Sequence, residues 1–488
     1  MTTVSGQSSN TSDGGRQHLG SLGKERLGAV AITFFVVSAA GPLVAMAGGI
    51  PVTMMFGNGA GIPALFIALT VLLALFAEGY TAMASRLRNA GAFYALVRAG
   101  LGARSGGAAG MVALMSYNAL QIGLYGLFGA AADALVGGFI GHALPWWGYG
   151  FAAMAVIGVL GYRQIDLSIR LLGVLCAGEY LVVLLLDLAV ILNGGDQGLS
   201  LRPFSGPVVL SGSPTIGLLL AFAAFIGFEA TTIYSEEARD PEHSIPIATY
   251  ASLLVIGVFY ALSTWAMVMA LGVDKVDGIL HGVSGSSELL FGVADRYVGW
   301  PLVAAMRILF VTSIFAAMLA FHNAIARYVF ALGRDRLLPR RFGTTHPRYS
   351  SPHAGSLAQT VLALISLLCF AVAGSDPILT VFTLPTALGT LGILLLMALT
   401  TVSIIVFFIR EGGGSRRHIL CALPALLGLG GIALLAAARF DLLSGAQGGL
   451  VSLLPLLLGL AALMGAAVGG RQKTCRPLGV EQRHGVPG

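Results

Sequence analysis

Charge is the property that this sequence has least of. The 28 basic and 22 acidic residues make up only 10% of the 488 residues, whereas 56% are hydrophobic. Soluble domains carry about 25% charged residues, so this chain has too few charges to cover a water-exposed surface of its size. The composition excludes a soluble enzyme, a nucleic-acid-binding protein and a disordered protein.

Cysteines and catalytic motifs are also scarce. The four cysteines show no paired spacing, so we expect free thiols, with no disulfide framework and no metal site: Cys176, Cys369, Cys421 and Cys475. The sequence has no H-E-x-x-H motif, and no apolar run contains G-x-S-x-G. A membrane-embedded enzyme would need convergent catalytic groups or metal ligands. We therefore expect no enzyme activity and no cofactor, only a proton or sodium gradient as the energy source.

Long apolar runs fill most of the chain. An α-helix needs about 20 predominantly apolar residues to cross a bilayer. On that measure the sequence predicts twelve membrane spans, numbered one to twelve below: 29–50, 60–85, 106–138, 146–162, 167–193, 213–236, 246–272, 299–333, 353–374, 377–409, 419–438 and 448–470.

The distribution of positive charge predicts how these spans are oriented. If the first residue lies inside the cell, 22 of the 28 Lys and Arg residues fall on inner segments and four on outer ones. Cytoplasmic loops of membrane proteins carry such an excess. We therefore expect both termini to be cytoplasmic and the protein to lie among the lipids of the cytoplasmic membrane, with no nucleic-acid partner.

Two spans contain residues that interrupt a helix. Gly41-Pro42 lies near the middle of span one, and proline both removes a backbone donor and clashes with the preceding turn. In span six, Gly227 lies beside Glu229. Irregular backbone at this depth is tolerated only where protein or a watery cavity satisfies it. Interrupted first and sixth spans are typical of an inverted five-plus-five repeat, although a packing kink would also explain Gly41-Pro42.

Ionisable residues within the spans are the next candidates, because burying them in a membrane is costly. Glu179 lies near the middle of span five and is the better candidate for proton transfer, since burial favours the protonated carboxyl group. Glu229 is the second coupling candidate, but it can equally brace the broken backbone by accepting free N–H groups. Arg307 of span eight needs a partner, for which Asp187 is a candidate.

Two adjacent hydroxyl groups, those of Thr312 and Ser313, lie on span eight. If they face an unwound span one, they complete an oxygen cage that is a candidate sodium site. Hydroxyl groups within helices more often bond back to the preceding turn, and we favour that interpretation. The sequence alone leaves proton and sodium coupling open.

Three stretches resemble the amino acid–polyamine–organocation (APC) superfamily of transporters. The first is the Ser38–Pro42 break and the glycine-rich segment after it. The second is Phe225–Glu229, which runs into Glu236-Glu237-Ala238-Arg239-Asp240-Pro241. The third is Asn323–Arg327, followed by Gly333-Arg334-Asp335-Arg336-Leu337-Leu338-Pro339. The resemblance covers about residues 25–440, and the stretch from span six is its most specific part.

The resemblance implies an all-α integral membrane protein of twelve transmembrane helices. Its fold would be a LeuT-type five-plus-five inverted repeat with two accessory helices. The domain organisation would then be a disordered cytoplasmic tail (1–26), a transport core (27–410) with two repeats (27–195 and 210–410), the two accessory helices (415–470) and a second cytoplasmic tail (471–488).

The resemblance also implies where the substrate binds. Its carboxylate and amine would meet exposed backbone at the two breaks, beside an aromatic side chain. The substrate-binding residues expected on this basis are Ser38, Ala39, Ala40, Gly41, Pro42, Phe222, Phe225, Ile226 and Gly227. Several members carry a lysine, standing in for sodium, at the position that Glu179 matches. An acid cannot replace that cation, so coupling through such a lysine is not expected here.

These observations predict a secondary active transporter that moves an amino acid, a polyamine or a simple amine by alternating access. Proton-coupled uptake is the leading hypothesis, followed by exchange and then by sodium symport. A channel is a weaker alternative, because a continuous pore would show repeated polar lining rather than two isolated breaks.

Overall fold

The computed structural model describes residues 27–87, 91–140, 144–163, 169–280, 286–347, 349, 351–411, 416–445 and 451–471. The two tails predicted to be cytoplasmic, 1–26 and all but the first residue of 471–488, lie outside these ranges.

Within the described ranges, every regular element is a helix, and one isolated bridge joins Leu27 to Ala238. The spans have these bounds: one, Ala29–Ala40, Val44–Gly49 and Ile50–Phe56; two, Gly59–Gly61 and Ile62–Leu87; three, Ala103–Ile140; four, Trp146–Arg163; five, Ile169–Leu192; six, Pro214–Phe222, Ala223–Phe225 and Phe228–Tyr234; seven, Pro241–Leu271; eight, Trp300–Arg334; nine, His353–Val372; ten, Pro377–Phe382 and Thr383–Glu411; eleven, Arg416–Ala438; twelve, Leu454–Arg471.

Shorter helices connect some of the spans. They are Ala92–Leu101 after span two, Arg202–Phe204 and Gly206–Val209 after span five, Val276–Leu280 and Ser286–Tyr297 after span seven, Arg340–Gly343 after span eight, and Phe440–Ser444 and Val451–Leu453 after span eleven.

Eleven helices in the described ranges are long and apolar enough to cross a membrane. The remaining predicted span, span four, is an 18-residue helix with Trp146 and Trp147 at one end and Tyr162 and Arg163 at the other. These residues make the helix less apolar, and aromatic side chains of this kind are enriched at membrane interfaces. The structure therefore has the expected layout of twelve helices.

Contacts between spans repeat across the two halves of the chain. Span three packs on span ten, and span eight packs on span five. Span one likewise contacts span seven, and span six contacts span two. In a five-plus-five repeat, spans three and ten correspond to spans eight and five, so the first of these contacts is the counterpart of the second. In the same way, the contact of span one with span seven is the counterpart of the contact of span six with span two.

Arginines cluster at one end of the bundle, which we call the basic face: Arg86, Arg98, Arg334, Arg340, Arg341 and Arg410. Several of them link neighbouring spans there. Arg86 pairs with Glu411, and Arg410 donates to the Gly100 carbonyl at 3.0 Å. The other end is called the opposite face.

Candidate functional site

Span one is broken at Gly41. The backbone φ is +56° at this residue, in the left-handed region that only glycine adopts without a steric cost. Pro42 has no N–H to donate, and the Leu43 N–H points to Oε2 of Glu179 at 3.5 Å. In a continuous helix that N–H would pair with the carbonyl of Ala39. The break therefore releases a backbone acceptor at the centre of the bundle.

Span six is broken at Gly227, where φ is +120° and ψ is −28°. The 3₁₀ turn Phe228–Tyr234 follows the break. The Gly227 N–H donates to Oε2 of Glu229 at 2.8 Å, and the Tyr117 hydroxyl donates to Oε1 at 3.1 Å. Both spans are thus interrupted where the sequence predicts, and Glu229 braces the freed backbone of span six.

The two breaks lie against each other. A methyl group added at Gly227 would lie 3.4 Å from Cβ of Ala39 and 3.5 Å from the backbone nitrogen of Ala40. Tyr80 of span two holds the span-six side of this contact, because its hydroxyl donates to the Glu229 carbonyl at 2.8 Å. The expected backbone site is therefore assembled from two segments that are distant in sequence.

A cavity of about 110 Å³ adjoins the two breaks. Four of the substrate-binding residues expected from the sequence line it: Ala39, Ala40, Gly41 and Ile226. The other lining side chains are apolar except for Thr53 and Thr386. In the part of the chain that the structure describes, no carboxylate or cation lines this cavity.

The aromatic walls of the cavity are not those expected from the sequence. Phe222 and Phe225 are fully buried and do not line it; the ring of Phe225 packs behind Phe66, with 6.0 Å between the ring centroids. Phe66 of span two, Phe321 of span eight and Phe382 of span ten form the aromatic walls instead.

Three other expected residues lie at the breaks without lining this cavity. Ser38 is buried at the end of the first half of span one, and Pro42 follows Gly41. Gly227 lines a smaller neighbouring cavity, together with Ala39 and Tyr117.

Glu179 and Ser313 belong to a single cluster. The Ser313 hydroxyl donates to Oε2 of Glu179 at 2.6 Å, and Glu179 is only 2% exposed. The same carboxylate oxygen receives the Leu43 N–H described above. A methyl group added at Gly41 would lie 3.6 Å from the Ser313 hydroxyl oxygen. The cluster therefore joins spans one, five and eight directly at the break of span one.

The second hydroxyl of the candidate sodium site does not join this cluster. The Thr312 hydroxyl donates to the Leu309 carbonyl at 3.0 Å, so it follows the common pattern of bonding back to the preceding turn. Of the two adjacent hydroxyl groups, only that of Ser313 meets Glu179.

The pairing of Arg307 with Asp187 is wrong. Asp187 instead accepts a hydrogen bond of 2.6 Å from Ser263 of span seven. Arg307 pairs with Glu288 at 3.2 Å. Glu288 lies on the connecting helix Ser286–Tyr297, which packs against span eight and supplies a carboxylate nearer in sequence than Asp187.

Ion pairs close the basic face below the breaks. Arg327 of span eight donates to both carboxylate oxygens of Glu237, at 2.5 and 3.2 Å. Arg334 forms a similar double contact with Glu236, at 2.6 and 2.8 Å. The Leu27 N–H donates to the Glu237 carbonyl at 3.1 Å. Spans one, six and eight are thus tied together at this end.

Sequence reasoning missed Tyr117 and the three aromatic walls. Tyr117 carries a signal, since a phenol in the middle of an apolar span needs a hydrogen-bond partner. Phe66, Phe321 and Phe382 carry none, because phenylalanine is common on every buried or lipid-facing side of a membrane helix.

Among the described residues, no three His, Cys, Asp or Glu side chains come together in a way that could hold a metal ion. The three described cysteines are free; Cys176 is buried, Cys421 is half-buried and Cys369 is exposed.

Comparisons with known proteins agree with this architecture. A family model described as amino acid permease matches residues 27–456. The low-affinity putrescine importer PlaP of Escherichia coli (strain K12) is 23% identical over 63% of this chain and 67% of its own length. The branched-chain amino acid permease BcaP of Bacillus subtilis (strain 168) is 25% identical over 61% of this chain and 65% of its own length.

Another relative matches a shorter part of this chain. The chloroplastic cationic amino acid transporter 7 of Arabidopsis thaliana is 31% identical over 28% of this chain, and the match spans less than a quarter of that protein. Among solved structures, a mutant of the Eremococcus coleocola manganese transporter superposes with a TM-score of 0.57 and 13% identity, over 93% of this chain and 97% of that one. At this identity, the likeness shows a shared fold.

Proposed function

This chain belongs to the amino acid permease family of the APC superfamily and is a transporter with the LeuT-type fold; from that premise we propose that it takes up a zwitterionic amino acid with a small or apolar side chain, driven by protons. The observation that carries the proposal is the cavity at the two broken helices, which combines free backbone groups with apolar walls.

The breaks supply the groups that recognise the common part of an amino acid. The second half of span one begins just after Gly41, and a helix N-terminus attracts a carboxylate. The Ala39 carbonyl, which lacks its helical donor, attracts an ammonium group. Both residues line the cavity, so the two ends of a zwitterion have complementary partners.

The walls of the cavity favour an apolar side chain. They are formed by aliphatic residues and by Phe66, Phe321 and Phe382. A diamine would bring a second ammonium group into this space, where the lining residues described above offer no carboxylate, and burying an unpaired charge is costly. Glu179 and Glu229 are each engaged outside the lining. An amino acid is therefore favoured over a polyamine.

The cluster of Glu179 and Ser313 supports proton coupling. Protonation of Glu179 removes a charge beside the Leu43 N–H and so changes the contacts that hold the break of span one. Protons entering from the opposite face and leaving at the basic face would then couple to closure around the substrate. The excess of arginine at the basic face supports a cytoplasmic location for that end.

Transport by the purified protein in proteoliposomes tests this proposal. Uptake of radiolabelled alanine, leucine, arginine, putrescine and ethanolamine is measured with a pH gradient, with a sodium gradient and with neither. We expect leucine or alanine to accumulate only with the pH gradient, acid outside. Preferred uptake of putrescine would overturn the substrate class, accumulation that follows sodium would overturn the coupling, and uptake only against preloaded substrate would identify an exchanger.

A further inference from the structure

A second, larger cavity lies on the outer surface of the bundle, away from the substrate site. It is a cleft of about 790 Å³ between spans three, eight, nine, ten and twelve. Its lining is apolar except for Asn118, Gln359 and Ser366. Leu362 and Leu457, which line it, are 44% and 41% exposed. In a membrane protein such side chains face lipid, so the cleft opens into the bilayer.

Gln359 points to a ligand in this cleft. The side chain is only 3% exposed, and within the described chain neither Oε1 nor Nε2 has a hydrogen-bond partner. A buried amide without partners is costly. Gln359 is the seventh residue of span nine, about 9 Å along the helix from its start at the basic face. A bound molecule with polar groups near that depth would satisfy it.

Two arginines that have no carboxylate partner among the described residues lie at the mouth of the cleft at the basic face. Arg340 and Arg341 lie in the turn Arg340–Gly343, and Phe342 of that turn lines the cleft. The Arg341 guanidinium lies 5.3 Å from the centre of the Phe342 ring. Both arginines are exposed, and neither pairs with a carboxylate in the described ranges. The nearest acid in sequence, Asp335, is already shared between other arginines.

We propose that this cleft binds one anionic phospholipid from the leaflet at the basic face. The acyl chains fill the apolar cleft, the phosphate lies between Arg340 and Arg341, and the glycerol ester groups reach the Gln359 amide. Arginine pairs favour phosphate through charge and directed donors. A phospholipid combines an anionic head, ester oxygens and a long apolar body.

A second copy of the chain is a less suitable occupant. A two-fold dimer uses the same patch on both subunits. Docking through this cleft would place one concave surface against another and bring two pairs of arginines together. Neither shape nor charge would be complementary.

Lipid binding to the purified full-length protein in detergent tests the charge requirement. Native mass spectrometry measures the binding of added phosphatidylglycerol and phosphatidylcholine to the wild type and to the double variant Arg340→Gln/Arg341→Gln. We expect one phosphatidylglycerol per protein, and an affinity lowered about thirtyfold in the variant at low salt. The matched control is Arg163→Gln/Arg416→Gln, which removes two exposed arginines elsewhere and should change the affinity less than twofold. Equal binding of the two lipids, or equal losses in both double variants, would overturn the proposal.

Substitutions in the span-twelve wall of the cleft provide the second test. Leu457→Trp should fill the cleft and abolish phosphatidylglycerol retention. Leu463→Trp, on the same helix at a 71% exposed position outside the lining, should leave it intact. Gln359→Met should weaken retention several-fold, because it removes the amide while keeping a similar volume. If Leu457→Trp instead converted a dimer into a monomer while lipid retention was unchanged, the cleft would be a protein interface and the proposal would be wrong. Because no readout involves transport, failure here leaves the proposed function untouched.

Discussion

The carboxylate of Glu179 on span five accepts a hydrogen bond of 2.6 Å from the hydroxyl of Ser313 on span eight. The two residues are 134 positions apart in the sequence, and each is a coupling candidate for a different ion. Their contact beside the broken backbone of span one means that proton and sodium coupling would use overlapping groups. Experiments on coupling must therefore identify the coupled ion independently of the residues that bind it.

Glu179→Gln should separate substrate binding from proton-driven accumulation. The amide resembles the protonated acid and can still accept from Ser313, so substrate exchange should persist. A gradient of one pH unit is worth 1.36 kcal/mol, or about tenfold in accumulation for one proton. Proteoliposomes containing the wild type should approach that ratio, and those containing the variant should stay near equal concentrations inside and outside.

The control for this variant is counterflow of labelled substrate into preloaded proteoliposomes, which needs no proton gradient. Normal counterflow with lost accumulation identifies Glu179 as the coupling group. Accumulation by Glu179→Gln that equals the wild type at every pH would show that the proton is carried elsewhere.

Substitution of the two adjacent hydroxyl groups should give unequal results. Ser313→Ala removes a donor that favours the charged form of Glu179, so the pH profile of uptake should move to higher pH by about one to two units, since hydrogen bonds to charged groups are worth about 1.5–3 kcal/mol. Thr312→Val should change little, because its hydroxyl bonds only to the Leu309 carbonyl in its own helix. Sodium-dependent uptake that falls in both variants would favour a sodium site instead.

The sequence was sufficient to predict the two breaks, because their causes are local. Pro42 cannot donate a hydrogen bond wherever it lies in a helix, and Gly227 beside Glu229 marks a backbone that a carboxylate can brace. The spans and their number follow in the same way from the length of apolar runs.

Other parts of the site could not be predicted, because they depend on packing between distant spans. Phe66, Phe321 and Phe382 form the cavity walls only because spans two, eight and ten meet around the breaks. Phe222 or Phe225 was the expected wall, but neither lines the cavity, and Phe225 packs behind Phe66. The predicted pairing of Arg307 with Asp187 is wrong for the same reason, since the connecting helix Ser286–Tyr297 places Glu288 beside Arg307.

Gly227→Leu should weaken substrate binding by about tenfold or more while the protein still inserts and purifies. The glycine has φ of +120°, and a side chain in such a conformation costs about 1–3 kcal/mol. Its first carbon would also meet Ala39, at the wall of the cavity. Binding is measured by isothermal titration, and Gly430→Leu on span eleven, where the space is open, serves as the control. Normal affinity in Gly227→Leu would place the substrate site elsewhere.

Asp196 at the opposite face should stabilise the protein without controlling the pH dependence of uptake. Lys275 and Arg296 both pair with it at 2.7 Å, and these contacts hold the pKa of its carboxyl below the ordinary range. A carboxyl group whose pKa is lower in the folded than in the unfolded protein stabilises the fold at pH values above its unfolded pKa, about 3.9. This stabilisation is lost as the pH falls through the folded pKa. Between pH 5 and 8 this contribution is constant.

Asp196→Asn should accordingly lower the Tm at pH 7, measured by thermal unfolding in detergent, because Lys275 and Arg296 lose their shared partner. The pH profile of uptake between pH 5 and 8 should be unchanged. A shifted profile would mean that the opposite face takes part in proton sensing and would weaken the case for Glu179.

Glu237→Gln should shift the protein towards conformations that are open at the basic face. The change leaves Arg327 buried without its counter-charge, and breaking one side of a buried ion pair costs about 3–5 kcal/mol. The closed arrangement bears that cost, since the pair joins span six to span eight only while they are in contact. A cysteine introduced by Ala324→Cys, at a position that is 5% exposed beside Ala39 and Gly227, reports the opening through its rate of thiol labelling from the basic face.

Labelling is compared in a background that lacks the four native cysteines, and it should accelerate at least fivefold in Glu237→Gln. The double variant Glu237→Gln/Arg327→Met removes the uncompensated charge, and replacing both partners of a buried pair is often neutral. Its labelling rate should therefore return towards that of the wild type. If the single variant labelled no faster than the wild type, the Arg327–Glu237 pair would not hold the basic face closed. If the double variant labelled as fast as the single one, loss of the ion pair itself would cause the opening, and the uncompensated charge of Arg327 would not.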